Sequence, residues 1–122
     1  MFRILRYAAL LLLLVTVSVP LPRVSAAANR LDVFAKCLSA KKAKMYGLYW
    51  CPHCAEQKEI FGSAFQYVQY VECGVPGTKK ETEECKAAGV VHFPTWEFSD
   101  HSRQEAVMQL DALSKHTGCP VP

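Results

Sequence analysis

Cys51 and Cys54 stand two residues apart, with Pro52 and His53 between them. An apolar stretch, Met45 to Trp50, leads into the pair, and a helix-favouring one, Ala55-Glu56-Gln57-Lys58-Glu59, follows it. A Cys-x-x-Cys at a strand-to-helix junction is where a thiol becomes chemically useful. The first turn of a helix presents unpaired backbone N–H groups and a partial positive charge. Thiols in such positions titrate at about 3.5–7.5 in place of about 8.5. Pro52 fits the first helical position, where its missing N–H costs nothing. His53 brings an imidazole that can carry a positive charge beside the sulfur. The Cys-Pro-His-Cys motif therefore predicts a redox-active disulfide, with Cys51 as nucleophile and Cys54 as resolving thiol. That disulfide is the only redox group the chemistry needs; no further cofactor and no metal is expected.

The elements that must position this pair are legible in outline. Asn29 is expected to cap a first helix, with Asp32 as a weak capping-box partner and Leu31, Phe34, Ala35 and Leu38 as its apolar face. Lys44 to Trp50 reads as a strand, and Gly47 inside it predicts close approach of another group to the backbone. Cys54 to Phe65 reads as the second helix. Tyr67 to Cys73 reads as a second strand whose core face is either Val68 and Tyr70 or Val71 and Cys73, or both if the strand is central. A loop at Gly74-Val75-Pro76-Gly77 precedes a short charged helix, Lys79 to Ala88, stopped by Gly89. Val90 to Phe98 and Arg103 to Met108 read as a hairpin around Ser99–Ser102. Leu110 to Thr117 closes the chain as a helix ended by Gly118. The fold class is α/β, with a four-stranded mixed sheet and helices on both faces.

The first 28 residues read as a signal peptide. Arg3 and Arg6 form a positive start, Ala8 to Val19 is an apolar run, and Val24-Ser25-Ala26-Ala27-Ala28 offers small residues for cleavage. The run falls short of the roughly 18–20 residues a spanning helix needs. Residues 29–122 then form one small domain in an oxidising compartment, free to form disulfides. Arg3, Arg6 and Arg23 leave with the presequence, which removes the excess of 14 basic over 11 acidic residues. A formally neutral domain gives no argument for nucleic acid. All six cysteines lie in this part, and six allow fifteen pairings.

Trp50-Cys51-x-x-Cys54 after the first strand, Pro94 opening the third, and the order of the elements resemble the thioredoxin superfamily. The dipeptide Pro52-His53 resembles that of DsbA-type oxidases. Several segments are similar to the thioredoxin-like domain of bacterial vitamin K epoxide reductase homologues. They are Phe34-Ala35-Lys36-Cys37-Leu38, Met45-Tyr46-Gly47, Tyr49 to Cys54, Glu56-Gln57-Lys58, Phe61-Gly62, Tyr70-Val71-Glu72-Cys73 and Phe93-Pro94-Thr95-Trp96. The resemblance implies a thioredoxin-like fold and an exported protein thiol–disulfide oxidoreductase. Its location would be the periplasm or an equivalent compartment, a thylakoid lumen or the extracellular space. Its partners would be substrate proteins with cysteine thiols and a membrane-bound, quinone-linked oxidoreductase of the vitamin K epoxide reductase or DsbB kind.

The resemblance also implies a cis peptide bond at Pro94, facing the cysteine pair. Phe93 and Thr95 on either side, and the large ring of Trp50, are then expected to contact substrate. Where thioredoxin carries a buried Asp below its resolving cysteine, this chain has Met45, which favours the oxidase over the reductase direction. His101 stands where relatives tend to have Gly in the hairpin turn. Cys73 and Cys85 are expected to pair across a loop of about a dozen residues, worth about 3 kcal/mol. Cys37 and Cys119 then remain to tie the first helix to the chain end. Cys73–Cys85 reads as a staple, with a second redox pair as the sharper alternative. A reductase or electron relay, and a Cys/His metal module using Cys51, Cys54, His53 and His92, are the rival functions.

Overall fold

Along the first strand, side chains alternate between the faces of a sheet, so Met45 and Gly47 look one way while Lys44 and Tyr46 look the other. That alternation organises the whole protein. A computed structural model describes residues 26–122. Its elements are α1 (Ala26–Ala40), β1 (Lys44–Gly47), α2 (Pro52–Phe61), β2 (Gln69–Glu72), α3 (Glu83–Ala87), β3 (Thr95–Glu97), β4 (Arg103–Gln104) and α4 (Leu110–Thr117). A 3₁₀ turn, Gly62–Tyr67, joins α2 to β2. The sheet order is β2-β1-β3-β4. β1 runs parallel to β2 and antiparallel to β3, and β3 pairs antiparallel with β4. This four-stranded mixed sheet flanked by helices is a thioredoxin-like arrangement, as the sequence led us to expect.

On the Met45 face lies the larger core. Phe34, Ala35 and Leu38 of α1, Cys54 and Phe61 of α2 and Leu113 of α4 close on Met45 and Trp96. Phe61 stacks near Phe34 at 6.4 Å between ring centroids and meets Trp96 at 6.1 Å. A smaller cluster on the other face joins Tyr46 and Leu48 to Cys73, Cys85 and Val90. Glu97, on that second face, accepts from Arg103 at 2.6 Å and meets Lys44 Nζ at 3.0 Å, bridging three strands. Burial of its carboxyl would raise the pKa, but the hydrogen bonds from Lys44 and Arg103 outweigh it and hold it below the ordinary value.

Two disulfides fasten the ends of these elements. Cys37 of α1 joins Cys119 beyond α4 across 82 residues of chain, with a Cα separation of 5.9 Å. Cys73 after β2 joins Cys85 in α3 across 12 residues, with a Cα separation of 5.6 Å.

Several element boundaries differ from the sequence reading, each for a local reason. Asn29 does not cap α1: the helix already includes Ala26–Ala28, and alanine is the strongest helix former. The proposed presequence otherwise lies outside the described residues. β2 is an edge strand, so Tyr70 and Val71 are each only partly covered, in place of the full burial a central strand would give. The charged helix starts at Glu83, because the Thr82 hydroxyl accepts from the Cys85 N–H and caps it there. Before it, Glu81 instead pairs with Gly74 in an isolated antiparallel bridge. The hairpin strands are short, since the segment before Thr95 turns sharply at Pro94 and β4 ends at Gln104. In the hairpin turn His101 adopts φ +65°, a left-handed conformation in which glycine is unstrained.

Candidate redox site

β1 delivers the chain to the top of the sheet, and Leu48 to Trp50 turn it into α2. The Cys51 N–H donates to the Leu48 carbonyl at 3.1 Å, closing that turn. Cys51 is the residue before the helix, with extended backbone, φ −86° and ψ 121°. Pro52 occupies the first turn, as its fixed φ and missing N–H predict. One turn of helix separates the two sulfurs in exposure. Cys51 is half-buried and Cys54 is fully buried, and both carry free thiols.

Asymmetry of burial sets the chemistry of the pair. Burial pushes the Cys54 thiol up to about 12, and the neighbouring Cys51 side chain adds to the rise. A backbone hydrogen bond from Leu48 and the charge of Lys58 pull the other way without cancelling it. The exposed sulfur can meet a partner, while the inner one is protected from the same partner and holds its proton. That is the division of labour between an attacking and a resolving thiol.

The Phe93–Pro94 peptide bond is cis. It brings the Phe93 carbonyl to the nucleophile: Cys51 Sγ donates to Phe93 O at 3.6 Å. The Phe93 carbonyl thus faces the outer sulfur directly. The Thr95 side chain is buried and its hydroxyl donates to the His92 carbonyl at 2.6 Å, so that side chain holds the proline turn. Trp50 lies half-buried against Gly74, with Lys79 Nζ 4.9 Å from its ring centre and Tyr49 edge-on at 4.7 Å. It packs with Cys51 and Phe93 onto the cluster that holds Cys73–Cys85. The second disulfide thus sits under the site, with both of its cysteines buried.

His53 lines a groove with Glu56, Phe93, Pro94 and Glu105, and His53 and His92 each face a carboxylate. His53 Nδ1 is 3.6 Å from Glu56, and His92 Nε2 is 3.8 Å from Glu105. The His53 side chain is 72% exposed and turned along its own helix toward Glu56. Among the described residues, no three His, Cys, Asp or Glu side chains converge to hold a metal ion.

Three positions beside the site were given no role in the sequence reading. Gln57, three residues beyond Cys54, is fully buried. It accepts from Trp96 Nε1 at 3.0 Å and from the Met108 N–H at 2.7 Å, and donates to the Met108 carbonyl at 2.9 Å. It fixes α2, and with it the cysteine pair, to β3 and the approach to α4. Its signal was the helical spacing from Cys54, which puts both on the buried face. Tyr70 and Glu72 are the others. Period-two alternation along β2 places them together on the α2 side of the sheet, next to Gly47.

No protein-family model matches the chain. Over 88 aligned residues it is 44% identical to a protein of Arabidopsis thaliana named thiol-disulfide oxidoreductase LTO1. The alignment covers 69% of this chain and 23% of that relative. The chain thus spans less than a quarter of the relative's length. At this identity the two share ancestry over the aligned part.

Proposed function

We propose that the chain is an exported protein thiol–disulfide oxidoreductase working through a Cys51–Cys54 disulfide, chiefly in the oxidase direction. The observation that carries the reading is the pair itself: an accessible sulfur at the start of α2, a buried one a turn deeper, and the Phe93–Pro94 turn against the first. The named relative supports the same class of chemistry. In the forward reaction a substrate thiolate attacks Cys51 Sγ. The Cys51–Cys54 bond breaks, a mixed disulfide forms, and Cys54 takes a proton. A second substrate thiolate then attacks the mixed disulfide and releases the domain as a dithiol.

Reoxidation requires an acceptor for two electrons. A membrane-bound, quinone-linked enzyme of the vitamin K epoxide reductase or DsbB kind is the partner the sequence resemblance favours. Export follows from the presequence reading, and the two structural disulfides suit an oxidising compartment. Buried Met45 supports the oxidase direction, because no carboxylate stands at that point on β1 to draw the proton from Cys54.

The test is oxidation of a reduced, unfolded disulfide protein by the oxidised full chain. Substrate disulfides should appear in proportion to the chain added, and Cys51→Ala should abolish the transfer. Transfer that survives Cys51→Ala would overturn the assignment.

A further inference from the structure

We propose that the groove beside Pro94 selects substrates by charge, taking a lysine or arginine side chain next to the substrate's attacking cysteine. The inference rests on the thiol-exchange reading above and names the class of polypeptide this site prefers. Three observations carry it. First, the groove adjoins the nucleophile. Phe93, whose carbonyl accepts from Cys51 Sγ at 3.6 Å, is part of its lining. Second, the lining is divided in chemistry. Phe93, Pro94, Ala106 and Val107 are apolar, while His53, Glu56 and Glu105 are polar. Third, the two carboxylates come from separate elements and hold no fixed cation. Glu56 lies on α2 and Glu105 directly follows β4. Among the described residues no Lys or Arg lines the groove. Glu56 meets His53 at 3.6 Å and Glu105 meets His92 at 3.8 Å, both beyond hydrogen-bond reach. Glu97, by contrast, already holds Lys44 at 3.0 Å and Arg103 at 2.6 Å.

A long basic side chain matches both halves of this lining. Lysine and arginine lay their methylene stems along apolar surface and keep the charged head in polar surroundings. Here the stem covers Phe93 and Pro94, and the head reaches Glu56 or Glu105. Those two side chains are 57% and 47% exposed, so a partner can meet them. An acidic side chain would face two like charges. An apolar one would cover the lining and leave the carboxylates partly desolvated without a partner. A metal ion is a poorer match, since among the described residues no three His, Cys, Asp or Glu side chains converge. The volume, about 360 Å³, lies at the small end of the roughly 300–1,000 Å³ that ligand sites span. That suits a side chain and not a folded surface.

The docked side chain leaves the chemistry of exchange as it is. The substrate thiolate attacks Cys51 Sγ, the Cys51–Cys54 bond breaks, and Cys54 takes a proton. The second substrate thiolate then closes the substrate disulfide and releases Cys51 as a thiolate. The substrate is oxidised by two electrons and the domain reduced by two. A basic side chain in the groove holds the attacking sulfur near Cys51 during the first of these steps. Exposed ion pairs are weak, so two carboxylates give a preference of about 3- to 10-fold and not an absolute requirement.

The oxidised full chain is mixed with excess reduced dithiol peptides that carry Arg, Ser, Leu or Asp on either side of the attacking cysteine. The pH is 8, at the top of the range in which histidine ordinarily changes charge. Samples are quenched with acid, alkylated, and the oxidised peptide is measured by mass. Every rate is divided by the rate of the same peptide with oxidised glutathione, which removes differences in thiol reactivity. The Arg peptide should be oxidised about 3- to 10-fold faster than the Ser peptide, with the Asp peptide slowest. Raising salt to about 0.5 M should shrink that preference. In Glu56→Gln/Glu105→Gln the Arg-to-Ser ratio should fall below about twofold. Equal rates for the Arg and Ser peptides, or a fastest Leu peptide, would overturn the proposal in the unsubstituted chain alone, whether or not the double variant folds. An Arg preference that survives the double substitution overturns it as well. Failure to oxidise any of the peptides would instead refute the thiol-exchange reading.

Discussion

The indole N–H of Trp96 donates to the side-chain oxygen of Gln57 at 3.0 Å, in a part of the core where both side chains are fully buried. This bond ties the middle strand β3 to the helix that carries the cysteines. The same oxygen caps the Met108 N–H, and the Gln57 amide in turn donates to the Met108 carbonyl. One glutamine therefore satisfies three buried polar groups. Replacing it by Leu keeps the volume and strands all three. Each orphaned group costs about 1–3 kcal/mol, so Gln57→Leu should lower unfolding stability by about 3 kcal/mol or more. Urea unfolding followed by tryptophan fluorescence measures this, and a loss below about 1 kcal/mol would show that the network is not what holds α2.

Glu97 gives the stability a pH dependence. Burial acts to raise its pKa, and the hydrogen bonds from Lys44 and Arg103 more than reverse that. A carboxyl whose folded pKa lies below its unfolded value, about 4.3, stabilises above that value. The contribution is lost as pH falls through the folded pKa. Glu97→Gln should cost about 1 kcal/mol at pH 7 and flatten the fall in stability below about pH 4.5. Urea midpoints at pH 7, 5 and 3.5 for the two proteins check both parts.

The two structural disulfides should separate in a functional assay. Cys37–Cys119 closes 82 residues of chain between α1 and the segment after α4, and removing it by paired serine substitutions should cost about 4 kcal/mol. Attack by Cys51 on a model disulfide should keep its rate wherever the variant is folded. Cys73–Cys85 closes only 12 residues, and its loss should cost about 3 kcal/mol. It also lies in the cluster that supports Trp50, Cys51 and Phe93, so this loss should slow Cys51 as well. Equal effects on Cys51 from both removals would contradict the placement of the second disulfide under the site.

The cysteine pair was legible because its chemistry is local: spacing, a first-turn proline and an apolar lead-in suffice to place two thiols at a helix start. Gly47 was legible for a similar reason, since a glycine inside a strand signals a neighbour that needs the room. Leu110–Thr117 stood out by its period and its terminal glycine. What the sequence obscured depends on contacts between distant segments. Whether β2 is central or at an edge is decided by sheet order, and nothing within Gln69–Glu72 encodes it. Thr95 looked available beside Pro94, yet its burial follows from pairing with Tyr46 across the sheet. Tyr70 was read only as part of the second strand, and the bond its hydroxyl gives to Glu72 appears only in the folded chain.

The reduction potential of the Cys51–Cys54 couple, measured by equilibrating the full chain with glutathione, tests the proposed oxidase function most directly. The account predicts a value nearer the strongly oxidising DsbA end, about −120 mV, than the thioredoxin end, about −270 mV. A disulfide donor with a half-buried nucleophile and no carboxylate below the resolving thiol belongs in that range. A value at or below about −270 mV would contradict it, and would make the same two thiols a reductase.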